Sequence, residues 1–159
     1  MRKLTVVVSA LILVCGAASA HAQANDNPVT ELAGIKRLTC TFPVAASVTW
    51  SKEGVPSIRL RENSILTVRV QEIDTADGTA VITAPTQADG SAQLYGWNLP
   101  IMEPSRSGRM LMLTVFGRES KDKKLKAVYT RTDYLPVDLP GFSSEPEATQ
   151  YHGDCEAGR

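Results

Sequence analysis

The sequence predicts an all-β protein: a small antiparallel barrel of about eight strands, with a two-sheet β-sandwich as the alternative. Three observations carry this expectation. Short runs alternate apolar and polar side chains along most of the chain. Turn signals, among them Asp77-Gly78 and Asp89-Gly90, separate the runs at short intervals. No stretch reads as a long amphipathic helix. Consecutive hairpins favour an up-and-down meander, and a meander of this length closes most simply as a barrel.

The chain opens with Met1, Arg2 and Lys3, continues through an apolar run to Val14 and passes into Gly16, Ala17, Ala18, Ser19 and Ala20. A positive start, a short apolar core and a small-residue exit define a secretory signal peptide. We assign residues 1–22 to it, with exits after Ala20 and Ala24 as alternatives. The run is too short to span a bilayer, which takes about 20 residues as a helix. Cys15 admits a lipoprotein reading, but Val14 before it is larger than that processing favours. Residues 23–35 form a polar lead-in, and residues 36–156 a single β domain of ordinary size.

The β domain begins with Leu38, Cys40 and Phe42 on one face. Pro43 then breaks the ladder, because it has no amide donor, which implies an edge, a bulge or a bend. The alternation resumes with Val48 and Trp50 expected inward. Ile58 and Leu60 mark a short strand, and Leu66, Val68 and Val70 a longer one. Asp77-Gly78 turns the chain. Residues 79–84 return, and residues 85–90 form a connection. Leu94, Tyr95 and Trp97 suggest the next strand, whereas Pro100 and Pro104 confine anything between them to a short or edge strand. The clearest hairpin spans residues 109–134: an apolar run, a charged tip and a second β-rich run. Past Tyr134, Pro136, Pro140 and Pro146 make the chain irregular, and a short terminal strand reaches Cys155.

Cleavage leaves two cysteines, Cys40 and Cys155, near the ends of the domain. In an oxidising compartment such a pair forms a disulfide. Closing so long a loop, roughly 115 residues, is worth about 4 to 5 kcal/mol on chain-entropy grounds.

Composition excludes several functions. Without Arg2 and Lys3 the 17 basic residues fall to 15 against 17 acidic ones, a formal charge near −2; a nucleic-acid partner calls for a strongly basic domain. No second apolar run is long enough to cross a membrane. One or two histidines and an oxidised cysteine pair do not make a zinc set, no phosphate-binding glycine loop is present, and no cofactor is implied. His152 has no nucleophile elbow to serve and reads as an exposed histidine on a terminal strand. A carboxylate-based hydrolase, built from Glu62, Glu72, Asp74 or Glu103, is the least favoured function.

Two features point to binding. Residues 110–116 are apolar on both faces: Leu111, Leu113 and Val115 on one, Met110, Met112 and Phe116 on the other. A strand with a wet face alternates, so the second face calls for a cover. The candidates are the Pro-rich residues 135–142, a partner chain, or a ligand in a barrel cavity. The second feature is a basic tip of Arg118, Lys121, Lys123, Lys124 and Lys126. Glu145, Glu147, Asp154 and Glu156 are candidates to fold back on it. The expected function is therefore a non-enzymatic binding protein of the bacterial periplasm or envelope. It would engage a small apolar molecule or a protein partner through Trp50, Tyr95, Trp97, Met110, Met112 and Phe116. The alternative is an inhibitor or accessory protein that turns the basic tip against an acidic partner. In layout, with one Cys in its first strand and one at its end, the chain is similar to small bacterial periplasmic barrels such as lipocalin-like carriers and lysozyme-inhibitor barrels. The Gly-x-Trp of the first lipocalin strand is absent, and Gly96-Trp97 lacks the spacer.

Overall fold

A computed structural model describes residues 28–50, 53–104, 109–134 and 145–158. The signal peptide lies outside the described residues, as do residues 135–144, one of the candidate covers. Eight antiparallel strands close into a barrel in sequence order: β1 (Arg37–Trp50), β2 (Pro56–Asp74), β3 (Thr79–Ala84), β4 (Ala88–Ala92), β5 (Asn98–Glu103), β6 (Arg109–Glu119), β7 (Leu125–Asp133) and β8 (Glu147–Gly158). Each strand pairs with its neighbours, and β8 returns to β1. The barrel, rather than the sandwich, is the architecture.

Alternating residues fill the interior: Leu38, Cys40 and Phe42 from β1, Val68 and Val70 from β2, and Leu99 and Ile101 from β5. Leu111, Leu113 and Val115 of β6 and Ala127 and Tyr129 of β7 complete it. Cys40 and Cys155 stand directly opposite in the β1–β8 ladder and form the disulfide, Cα atoms 3.9 Å apart. The bond therefore lies across the seam where the last strand meets the first.

The lead-in is more ordered than its polarity suggests. A short helix, α1 (Pro28–Ala33), precedes β1, and Leu32 and Ile35 are buried in the core. Six residues are too few to reveal a helical period in sequence, but two aliphatic side chains suffice to seat the turn in the barrel.

Three expectations are revised. First, the break at Pro43 is a bulge, one extra residue of β1 against β8, and it reverses the parity of the rest of β1. Ala45 and Ser47 continue the inner face, so Val48 and Trp50 fall on the outer side. Second, residues 57–61 and the longer run after them are one strand, β2, bent at Asn63 with φ 62°. Third, of the strand expected at residues 93–98, residues 93–97 form a connection and Asn98 opens β5. Asp89-Gly90 lies within β4, and Tyr95 and Asn98 exchange backbone hydrogen bonds of 2.9 and 3.0 Å around Gly96. Gly96 holds φ 55° at the first central position, where type II′ turns favour glycine. Aromatic content imitated strand propensity there, and β5, with Pro100, is a full member of the barrel.

Gly153 of β8 faces the bulge across the seam. A Cβ on it would lie 2.0 Å from the Thr41 carbonyl oxygen and 2.8 Å from Phe42 Cα. Only a glycine lets the two backbones approach this closely.

Candidate functional site

The interior was one place for a ligand. Between Val68, Val70, Ile82, Ile101, Leu113 and Tyr129 there is a cavity of about 10 Å³. That is roughly the space of a single water. Met110, Met112 and Phe116 point outward, away from it, while Leu111, Leu113 and Val115 make the core. Two-sided apolarity in this strand therefore means one face packed inside and one face presented outside.

Below their bulges β1 and β2 run on past the barrel as an arm. Residues 44–50 of β1 pair with residues 56–62 of β2 on one side and with residues 147–152 of β8 on the other. The β2–β3 ladder begins only at Arg69, so no strand among the described residues pairs with residues 56–67 on that side. Along this open edge Ile58, Leu60 and Ile65 are 76%, 64% and 79% exposed.

Reading the registers across the sheet joins this arm to the apolar strand. One outward row runs Ile58, Val48, Ala148, Thr132, Met110; the next runs Leu60, Ala46, Gln150, Thr130, Met112, Met102. Five strands at about 4.8 Å spacing make a wall roughly 20 Å wide. Trp50 continues the outward side of β1. The wall thus unites Trp50, Met110 and Met112 with Ile58, Leu60 and Met102. In sequence, Ile58 and Leu60 look like ordinary core positions. Their alternation is legible, but nothing in it reveals that the bulge turns this face outward.

The inner side of the arm is polar. Ser47 and Thr149 are buried and share a hydrogen bond of 2.8 Å, and Thr149 donates to Glu147 at 2.9 Å. Arg61 donates to Ser47 Oγ at 3.2 Å. Nearby, Asp133 accepts from Arg109 at 2.6 Å and from Arg131. Burial alone would raise the Asp133 pKa, but the two guanidiniums outweigh it and hold the carboxyl below the usual range. Tyr129 sits beneath them; burial, with the Glu103 charge adding to it, pushes its pKa up to about 12.

The remaining predicted residues belong to the opposite end. Tyr95 and Trp97 are exposed on the β4–β5 turn, where the Trp97 carbonyl accepts from Gly117 N–H at 2.7 Å. Phe116 lines a shallow outer depression of about 570 Å³ with Ser120, Lys121, Lys126, His152 and Asp154. His152 is exposed and makes no hydrogen bond to Ser120 or Asp154, so these three residues do not form a nucleophile–base pair. The basic tip is partly neutralised from within: Lys124 bonds Glu156 at 2.7 Å, and Lys126 stands opposite Asp154 in the β7–β8 ladder. The six candidate binding residues are therefore split between two ends, and the wall gathers three of them.

The candidate acids are also divided. Glu72 and Asp74 lie at the α1 end, Asp74 capping the β2–β3 turn and reaching Lys36 at 3.8 Å. Glu62 belongs to the arm, and Glu103 accepts from Thr86 at 2.8 Å. Among the described residues no three His, Cys, Asp or Glu side chains converge on a metal position. No described helix is long and apolar enough to cross a membrane. Comparison of the chain with protein-family models, curated proteins and solved structures gives no match.

Proposed function

We propose that this chain is an exported, non-enzymatic binding module of a bacterial envelope, and that its ligand is a protein bound on the outer wall. The observation that carries the reading is the group of exposed aliphatics, Ile58, Leu60 and Ile65, on the open edge of β2, on the same outer side of the sheet as Met110 and Met112 with small and polar residues between. Contiguous exposed apolar surface on a soluble domain marks an interface, and methionines suit surfaces that adapt to a partner. The one-water size of the cavity between the described core residues favours a protein over a small apolar ligand. Export rests on the positive, apolar and small-residue pattern of the first 22 residues, together with the Cys40–Cys155 bond, which an oxidising periplasm would form.

Photo-crosslinking in the producing cell tests this. A photoreactive residue replacing Ile58, Leu60 or Met112 is expected to give one common adduct, and one replacing Lys121 or Lys123 none. Adducts from the tip alone, or from no position, overturn the reading.

A further inference from the structure

We infer that the open edge of β2, residues 56–62, takes an extended segment of the partner as an added strand, one apolar on its outer side and acidic on its inner side. The inference rests on the outer wall being the binding surface.

The backbone comes first. In a paired strand about half of the N–H and C=O groups face each neighbour. From residue 56 to residue 67 β2 has β1 on one side and no strand among the described residues on the other. An unpaired edge of this length is a template for another strand. Proteins commonly blunt such edges with charge and proline, and Pro56, Arg59 and Arg61 fit that description. Beside these residues the same edge displays Ile58 and Leu60 on the outer side.

The side chains then choose the occupant. Arg59 and Arg61 project from the inner side, and neither forms an ion pair with a carboxylate among the described residues. A second copy is a poor fit. Antiparallel self-pairing about Leu60 sets Arg59 against Arg61, and an axis at Arg59 or Arg61 sets that residue against its own copy; like charges directly opposite destabilise a pair. The register about Ile58 escapes this but sets Arg59 against Ser57 and Arg61 against Val55, leaving both guanidiniums without a carboxylate opposite. A lipid or other amphiphile would cover Ile58 and Leu60 but leave the amide edge unpaired. A strand with alternating aliphatic and carboxylate side chains satisfies all three: the amides, the aliphatics and the guanidiniums.

The probe is a synthetic nine-residue peptide of alternating valine and glutamate, titrated by fluorescence anisotropy against the mature, oxidised protein. Binding is expected, and it weakens as salt rises. The doubly exchanged R59E/R61E protein, its fold checked by thermal melting, is expected to bind about tenfold more weakly or worse. It should instead acquire affinity for a valine–lysine peptide. Of two peptides N-methylated at alternate backbone amides, in the two possible phases, at least one is expected to lose binding. No binding of the valine–glutamate peptide, indifference to R59E/R61E, or full binding by both methylated forms overturns the inference. Crosslinks from Ile58 and Met112 that persist in that event would leave the wall as the binding surface without strand addition. Their absence would remove both.

Discussion

The two halves of β2 make opposite use of similar residues. Val68 and Val70 are each 1% exposed inside the barrel, whereas Ile58 and Leu60, in the same strand, are among the most exposed aliphatics of the protein. Both pairs alternate with polar residues, and both are laddered to β1. What differs is the face: the register shift between Phe42 and Val44 reverses the parity, so the first pair points into the barrel and the second to its outer side. Periodicity thus groups side chains by face, while the bulge decides which face meets the core. The barrel half is a stability element, and the arm half is spare apolar surface available for a partner.

The largest effect that would sharpen this contrast is expected at Gly153. A side chain there collides with the β1 backbone at the seam, so Gly153→Val should cost more than about 3 kcal/mol in urea unfolding, and failure to fold is the extreme outcome. Gly54, in the turn of the arm at φ 75°, has open space where its Cβ would be. Gly54→Ala carries only the left-handed penalty of roughly 1–2 kcal/mol. Comparable losses at both sites would break the distinction between a packed seam and a free arm.

Next in size is the disulfide. Replacing Cys40 and Cys155 together with serine should cost about 2 to 5 kcal/mol by denaturant titration, with the chain-entropy value at the upper end. Both residues are buried, so part of that loss comes from polar atoms introduced into the core.

A smaller effect is expected from Tyr129, whose phenol ionises at about 12 in the folded barrel against 10.0 for the unperturbed group. A raised folded-state value means that the stabilisation is complete below pH 10 and is lost as pH rises from 10 toward 12. Alkaline unfolding followed at the tyrosinate absorbance should show that loss, and Tyr129→Phe should flatten it. An unchanged profile would show that Tyr129 is not the group responsible.

The smallest effect on folding is expected in the arm. Ile58→Ser with Leu60→Ser should leave stability within about 0.5 kcal/mol, as exposed substitutions do, while abolishing the crosslinks of the outer wall.

Much of the barrel was legible in the chain. The alternation of Leu38, Cys40 and Phe42, the Asp77-Gly78 turn and the two end-placed cysteines are local or pairwise signals, and the fold kept them. The losses have physical causes. Pro43 was visible as a break, but whether a proline ends a strand or bulges it depends on the neighbouring backbone, here on the room that Gly153 leaves; the bulge turned Val48 and Trp50 outward. Tyr95 and Trp97 have strand propensity, yet Gly96 bends the chain between them. Leu32 lies in too short a helix to display a period, and Ile35 follows it. Of the site, Met110 and Met112 stood out because an apolar strand face requires a cover. Ile58 and Leu60 did not, since the bulge that turns their face outward leaves no mark on their own alternation.

Amide hydrogen exchange of the free, oxidised protein, resolved by residue, tests the openness of the arm most directly. The outward-facing edge amides of residues 56–67 should exchange orders of magnitude faster than the doubly paired amides of β6 and β7, and slow when the partner binds. Protection of those edge amides in the free protein, equal to that of β6 and β7, would mean that the edge is already covered, and would contradict an open arm.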